Sequence, residues 1–176
     1  MDFKVTHHLY PNFSITLALY KDVTNMEALR QCVMKGEFEA TLLKPSMICD
    51  PFIVLTAANR AVYLDKTNKM TTKNVHSEVL YCLSPTKNIT DSFRKFGVGD
   101  KDNSVFIVLL NDLDGAKMEF IKSKIEGCQI SIDEVSNFKD ETQVKKIYKV
   151  TDLEVNTCSL SDVIVSRVAS KEFLTV

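Results

Sequence analysis

His76 and Glu78 stand two residues apart, just ahead of the apolar run at 79–83. A histidine and a carboxylate at that spacing begin a metal site or an acid–base pair, and either chemistry needs further convergent groups. None accompanies them nearby, so they read as the polar end of a strand that begins at Val79. His7 and His8 fall on opposite faces of a strand and do not act as a pair. Asp112 and Asp114 follow the apolar residues 105–110, a place where carboxylates hold magnesium, but Asn111, Asp112, Asp114 and Gly115 are what a turn requires, and a turn is expected. Gly97-Val98-Gly99 follows a helical pattern and lacks the Gly-Lys-Ser/Thr continuation that cradles phosphates. The five cysteines, Cys32, Cys49, Cys82, Cys128 and Cys158, include no Cys-x-x-Cys pair and none beside a histidine, and they read as reduced, mostly buried thiols. There is no Gly-x-Ser-x-Gly elbow. No catalytic residue, metal ligand set or cofactor motif emerges, and a non-enzymatic role is expected.

Charge narrows what remains. Against 22 Lys plus Arg stand 23 Asp plus Glu, a net charge of -1, so no global field draws this chain to nucleic acid and any RNA contact has to be a local patch. The densest patch is Arg60, Lys66, Asn68, Lys69, Thr71, Thr72, Lys73 and Asn74: cations for phosphates and amides for bases or ribose. A solvated helix end whose lysines favour the C-terminal dipole is the plainer reading of the same residues. Arg94 and Lys95, with Lys87 ahead of them, are a second basic group, whereas Lys145, Lys146 and Lys149 read as the wet face of a helix.

The elements that position these residues follow from periodicity. Phe3, Val5, His7 and Leu9, then Phe13, Ile15, Leu17 and Leu19, alternate with polar residues as a hairpin with one buried face. Thr24 is placed to cap a helix bearing Met26, Leu29, Val33 and Met34, which Gly36 ends. Residues 50–66 make the strongest helix, with Asp50 as cap and Pro51 in the first turn; it is apolar nearly all round, and its alanines invite a close neighbour. Residues 105–110 are an unbroken apolar run, as in a strand covered on both faces. Ile89, Phe93 and Phe96 predict a helix ended by a left-handed Gly97; Met118, Ile121 and Ile125 predict another, up to Gly127. A short strand is expected at 129–132, a helix with Val144, Ile147 and Tyr148 behind an Asp140/Gln143 cap, and a last helix over 159–171 with Leu160, Val163, Ile164 and Val168 on one stripe. That last helix is the natural candidate for a protein partner. A single domain over 1–176 is expected, of α/β (α+β) type, with a mixed, largely antiparallel sheet flanked by helices. No stretch reaches membrane-spanning length and the first residues lack a signal-peptide pattern, so no membrane is expected, and the cytosol and nucleus are.

Asp50-Pro51-Phe52, Ala57-Ala58-Asn59-Arg60-Ala61-Val62, Lys69-Met70, Ser77-Glu78-Val79, Leu83-Ser84-Pro85, Asn88-Ile89 and Arg94-Lys95-Phe96-Gly97-Val98 stand in an order and spacing that resembles the TPRKB family, the PRPK-binding subunits of the KEOPS complex. The likeness extends through residues 13–22, Glu126-Gly127, residues 144–149 and the final helix. It implies a subunit without catalytic activity or cofactor that docks on, and allosterically regulates, the small kinase-like ATPase of KEOPS. It would meet the other KEOPS subunits indirectly, in a complex that makes N6-threonylcarbamoyladenosine in tRNA. It also implies contact with the CCA end of tRNA. The RNA-facing residues would then be Asn59, Arg60, Lys66, Lys69, Lys73, Asn74, Arg94 and Lys95, and the kinase-facing ones Leu160, Val163, Ile164 and Arg167. Thr71 and Thr72 stand where relatives often carry a further basic residue. Two other readings are a protein scaffold that never touches RNA and an enzyme built on Cys49, His76 or Glu78.

Overall fold

The computed structural model describes residues 2–7 and 9–173. Five strands form one sheet in which every described pairing is antiparallel. At its centre lie β2 (Ser14–Lys21) and β4 (Val105–Leu110). On the outer side of β2, β1 (Phe3–Thr6) pairs with its first half and β5 (Cys128–Ile130) with its second, while β3 (Thr41–Leu43) lies beyond β4. Among the described residues eight α-helices cover the two faces: α1 (Met26–Lys35), α2 (Pro51–Lys66), α3 (Val75–Leu83), α4 (Ile89–Phe96), α5 (Ala116–Lys124), α6 (Glu141–Tyr148), α7 (Asp152–Thr157) and α8 (Leu160–Ala169). The single-domain, α+β architecture is as expected; the sheet is antiparallel rather than mixed.

Strand alternation divides the buried residues in two. Ile15, Leu17, Leu19, Phe106, Val108 and Leu110 face α2, α3, α6 and α8, and Ala18, Tyr20, Val105, Ile107 and Leu109 face α1 and α5. β4 is therefore covered on both sides, as its unbroken apolar run requires. So is β2, which corrects the hairpin with one buried face: the small Ala18 and the amphipathic Tyr20 also lie under α1 and α5. β1 is largely exposed, and Leu9 sits outside it because the chain turns at His7. His7 is buried, accepts from Leu9 N and Tyr10 N through Nδ1 and donates from Nε2 to Asn59 O at 3.1 Å, tying the hairpin loop to α2. His8 lies outside the described residues.

α2 is the pillar of the larger core. Asp50 accepts from Phe52 N at 2.7 Å, Pro51 occupies the first turn, and Ala57, Ala58 and Ala61 are fully buried, letting α3 and α8 approach closely. The apolar run at 79–83 is helix and not strand. Asn74 caps α3 through its side chain, and short apolar runs carry no period that separates the two states. Two caps also differ from expectation. Thr24 and Asn25 bond to the 124–126 turn instead of capping α1. Gly97 has an extended backbone, φ -76, and is required for a different reason: a Cβ there would lie 2.7 Å from Phe93 O. Of the cysteines, Cys49 and Cys82 are buried, whereas Cys128 and Cys158 are exposed, so the thiols are less buried than expected.

Candidate nucleic-acid and partner interfaces

The basic segment after α2 is shaped by a carboxylate. α2 stops where Thr67 and Lys69 bond back to Tyr63 O and Leu64 O, and Asn68 adopts a left-handed conformation, φ 54. The chain then crosses to Asn74, the cap of α3. Glu78 is fully buried on α3 and points back at this crossing. It accepts from Thr71 N at 3.1 Å, from Thr72 N at 2.7 Å and from Thr72 Oγ1 at 2.6 Å. The loop is therefore held by charge-assisted bonds to its own backbone. Lys69 and Lys73 are left exposed, and neither has a carboxylate within 4 Å among the described residues. Lys66 lies over the Phe13 ring, 5.3 Å from its centroid, and Tyr63 presents a half-exposed aromatic face one turn earlier on α2.

Not all of the expected RNA-facing residues join this surface. Asn59 Oδ1 is buried, with no partner among the described residues. Arg60 turns inward: Nη1 donates to Ala169 O at 2.8 Å and Nη2 meets Glu172 at 2.7 Å, which fastens the carbonyl end of α8. Asn74 is exposed but spends its Oδ1 on Ser77 N. Arg94 and Lys95 share Asp91, at 2.6 and 2.7 Å, and line a separate cleft with Lys44 and α6. The surface at the end of α2 and the loop after it thus retains Lys66, Lys69, Lys73 and Asn74.

His76 and Glu78 do not converge. The His76 Nε2 accepts from Leu110 N at 3.3 Å, and its backbone carbonyl accepts from Thr41 Oγ1 at 2.8 Å. Burial, aided by the Lys117 charge, lowers the His76 imidazole to about 4. Burial, with the Glu78 charge next, pushes the Cys82 thiol up to about 12, and burial also raises Cys49. These groups are uncharged at neutral pH, where neither a thiolate nor an imidazolium is available. Asp112, likewise buried, accepts from Lys117 N and Met118 N through its carboxylate and donates its own N–H to Ser14 Oγ, so it organises the turn into α5.

α8 lies on α2. Val163 and Ile164, expected at the kinase interface, are buried in the chain's own core, and Leu160 is partly buried against it. Arg167 bonds to Glu154 and to Lys149 O. The apolar side chains this region leaves outside are Leu153 and Phe173, 77% and 84% exposed. Leu153 sits on α7, which periodicity alone misses; its sequence signal is the capping box of Thr151 and Glu154. At the end of α8, Lys171 is buried with Nζ against Tyr81 O and 3.4 Å from the centre of the Tyr81 ring, and burial lowers it to about 8.

The model of the family described as "Kinase binding protein CGI-121" matches residues 20–172. An EKC/KEOPS complex subunit TPRKB from Danio rerio is 40% identical over 165 residues, covering 93% of this chain and 94% of the relative. EKC/KEOPS complex subunits from Aspergillus fumigatus and Candida glabrata are 34% and 31% identical, covering 81% and 85% of this chain and 80% and 85% of theirs. Matched from the end of β2 to beyond α8, this chain belongs to the kinase-binding CGI-121 family, of which TPRKB is a member.

Proposed function

We propose that this chain is a non-catalytic subunit of a KEOPS complex, which docks on the complex's kinase-like ATPase and helps present tRNA, through its CCA end, for N6-threonylcarbamoyladenosine formation. The observation that carries this reading is the near-full-length match to a kinase-binding family whose relatives, from a fish and from fungi, bear the KEOPS subunit name. Binding that favours one arrangement of the kinase would regulate it by differential affinity, and a tethered RNA contact would raise the local concentration of substrate. Neither role uses a reactive side chain. Leu153 and Phe173 are assigned to the kinase because they are the large apolar side chains that α7 and the residues after α8 leave mostly exposed, and the partly buried Leu160 at the start of α8 is assigned with them. Lys66, Lys69, Lys73 and Asn74 are assigned to RNA.

Mixing the purified chain with the kinase-like subunit tests the docking: the two are expected to co-elute in size-exclusion chromatography, and Leu153→Asp with Phe173→Ser to abolish co-elution. A wild-type chain that ignores the kinase sinks the proposal. The inward turn of Asn59 and Arg60 favours a second reading, a scaffold without RNA contact. Titrating tRNA with and without its CCA end separates them, since the scaffold predicts equal, absent binding.

A further inference from the structure

The basic group at the end of α4 and the solvated lysines of α6 meet in one place. Arg94 and Lys95, from the last turn of α4, face Lys146 and Lys149 of α6 and its C-cap across a cleft of about 480 Å³ that Lys44 also lines. Among the described residues one carboxylate, Asp91, pairs with them. Asp91 is held below the usual carboxylate range by hydrogen bonds from Lys95 and Arg94. Lys44, Lys146 and Lys149 have no acidic side chain within 4 Å among the described residues. In a chain of net charge -1, five cations against one acid is a pronounced local excess.

Helix-end compensation accounts for Arg94, Lys95 and Lys146 one at a time. It does not account for Lys44, which is on neither helix, nor for their convergence. The walls are also fixed. Phe96, next to Lys95, meets Tyr148, next to Lys149, edge to face at 5.8 Å; Tyr148 donates to Leu83 O at 2.6 Å, and Lys44 N donates to Phe96 O at 2.8 Å. The backbones that carry the cations are thereby set before any ligand arrives.

We infer that this cleft grips the phosphodiester backbone of nucleic acid, as a second contact apart from the loop after α2. Four of its five cations are lysines, point charges on flexible stems that neutralise phosphate oxygens without a fixed approach geometry, which suits the evenly repeated charge of a phosphodiester backbone. Gln143 lines the same cleft, and Asp140 caps α6 through its own side chain, accepting only from the backbone of Gln143; the Gln143 side-chain amide can reach ribose or a base. No residue of the loop between α2 and α3 lines it. The inference rests on the RNA reading above for the identity of the polyanion.

Fluorescence anisotropy of the full chain with labelled tRNA over a salt series tests it. The cleft variant is Lys146→Glu with Lys149→Asn, since asparagine tolerates the left-handed backbone at 149, φ 53. Lys69→Glu with Lys73→Glu is the loop variant, and Lys145→Ala, whose lysine pairs with Glu141 at 2.7 Å, is the control. Thermal melts establish that each is folded. The cleft variant is expected to bind about tenfold more weakly at low salt, and its log–log salt slope to be shallower by about 1.5, as loss of two phosphate contacts dictates; the control is expected to bind like wild type. Wild-type affinity in the cleft variant, alongside a weakened loop variant, overturns the cleft and leaves the RNA reading standing. Wild-type RNA affinity with lost kinase co-elution makes the cleft an acidic-protein surface and also overturns it. A wild-type chain that binds no tRNA overturns both.

Discussion

At the level of single residues, Glu78 and His76 show how groups that look chemical serve the fold. Glu78 is fully buried, and the donors it accepts from all belong to the loop before its own helix. Replacing it by glutamine keeps the shape but removes the charge and turns an amide N–H₂ toward backbone N–H groups. Glu78→Gln is therefore expected to cost about 1.5–3 kcal/mol in urea unfolding and to speed amide exchange at Thr71 and Thr72. Unchanged exchange at those two amides would refute the organising role. His76 sets a pH dependence. Its folded value, about 4, lies below the ordinary 6.5, so between those values the unfolded chain binds the extra proton. The stability His76 contributes is present above about pH 6.5 and is lost as pH falls toward 4, by up to about 3 kcal/mol. Unfolding titrations at pH 7 and pH 4.5 are expected to differ less in His76→Gln than in wild type.

Among the elements, legibility followed how much of the signal was local. Asp50, Pro51 and the apolar run behind them announce α2, and residues 105–110 announce β4, because caps and continuous burial are written in neighbouring residues. α3 was misread because its apolar residues alone fit either state, and what decides is Asn74 capping Ser77 N. Gly97 was legible as a stop but not as a contact: its N–H donates to Phe93 O at 2.9 Å while its extended backbone bridges to Leu43, and that geometry, not a left-handed turn, excludes a Cβ. The basic set was legible only as composition: whether a basic residue faces out or in depends on a distant element, as Arg60 depends on α8. That dependence is testable. Arg60→Ala is expected to lower stability by about 1–3 kcal/mol and to raise hydrogen exchange in the last turn of α8, and Arg60→Lys to restore little, because one ammonium cannot reach Ala169 O and Glu172 in the same fork. A full rescue by lysine would show that charge alone suffices.

Taken as a whole, the molecule gathers two groups of surface cations, one of which chain order does not reveal. Lys69 and Lys73 follow α2, while Lys146 and Lys149 come far later and meet Arg94 and Lys95 only because Tyr148 packs on Phe96. The family was legible from residues 50–98, a stretch that includes α2, α3 and α4, since its cap, alanines and turns occur as one ordered string. The sheet has a further consequence. It stands as a wall between two separate apolar compartments, with α1 and α5 on one side and α2, α3, α6 and α8 on the other. Inherited substitutions beneath α1 or α5 would thin the cellular supply of intact molecules while sparing the adhesive properties of each survivor, so dosage and affinity are separable by which compartment is struck.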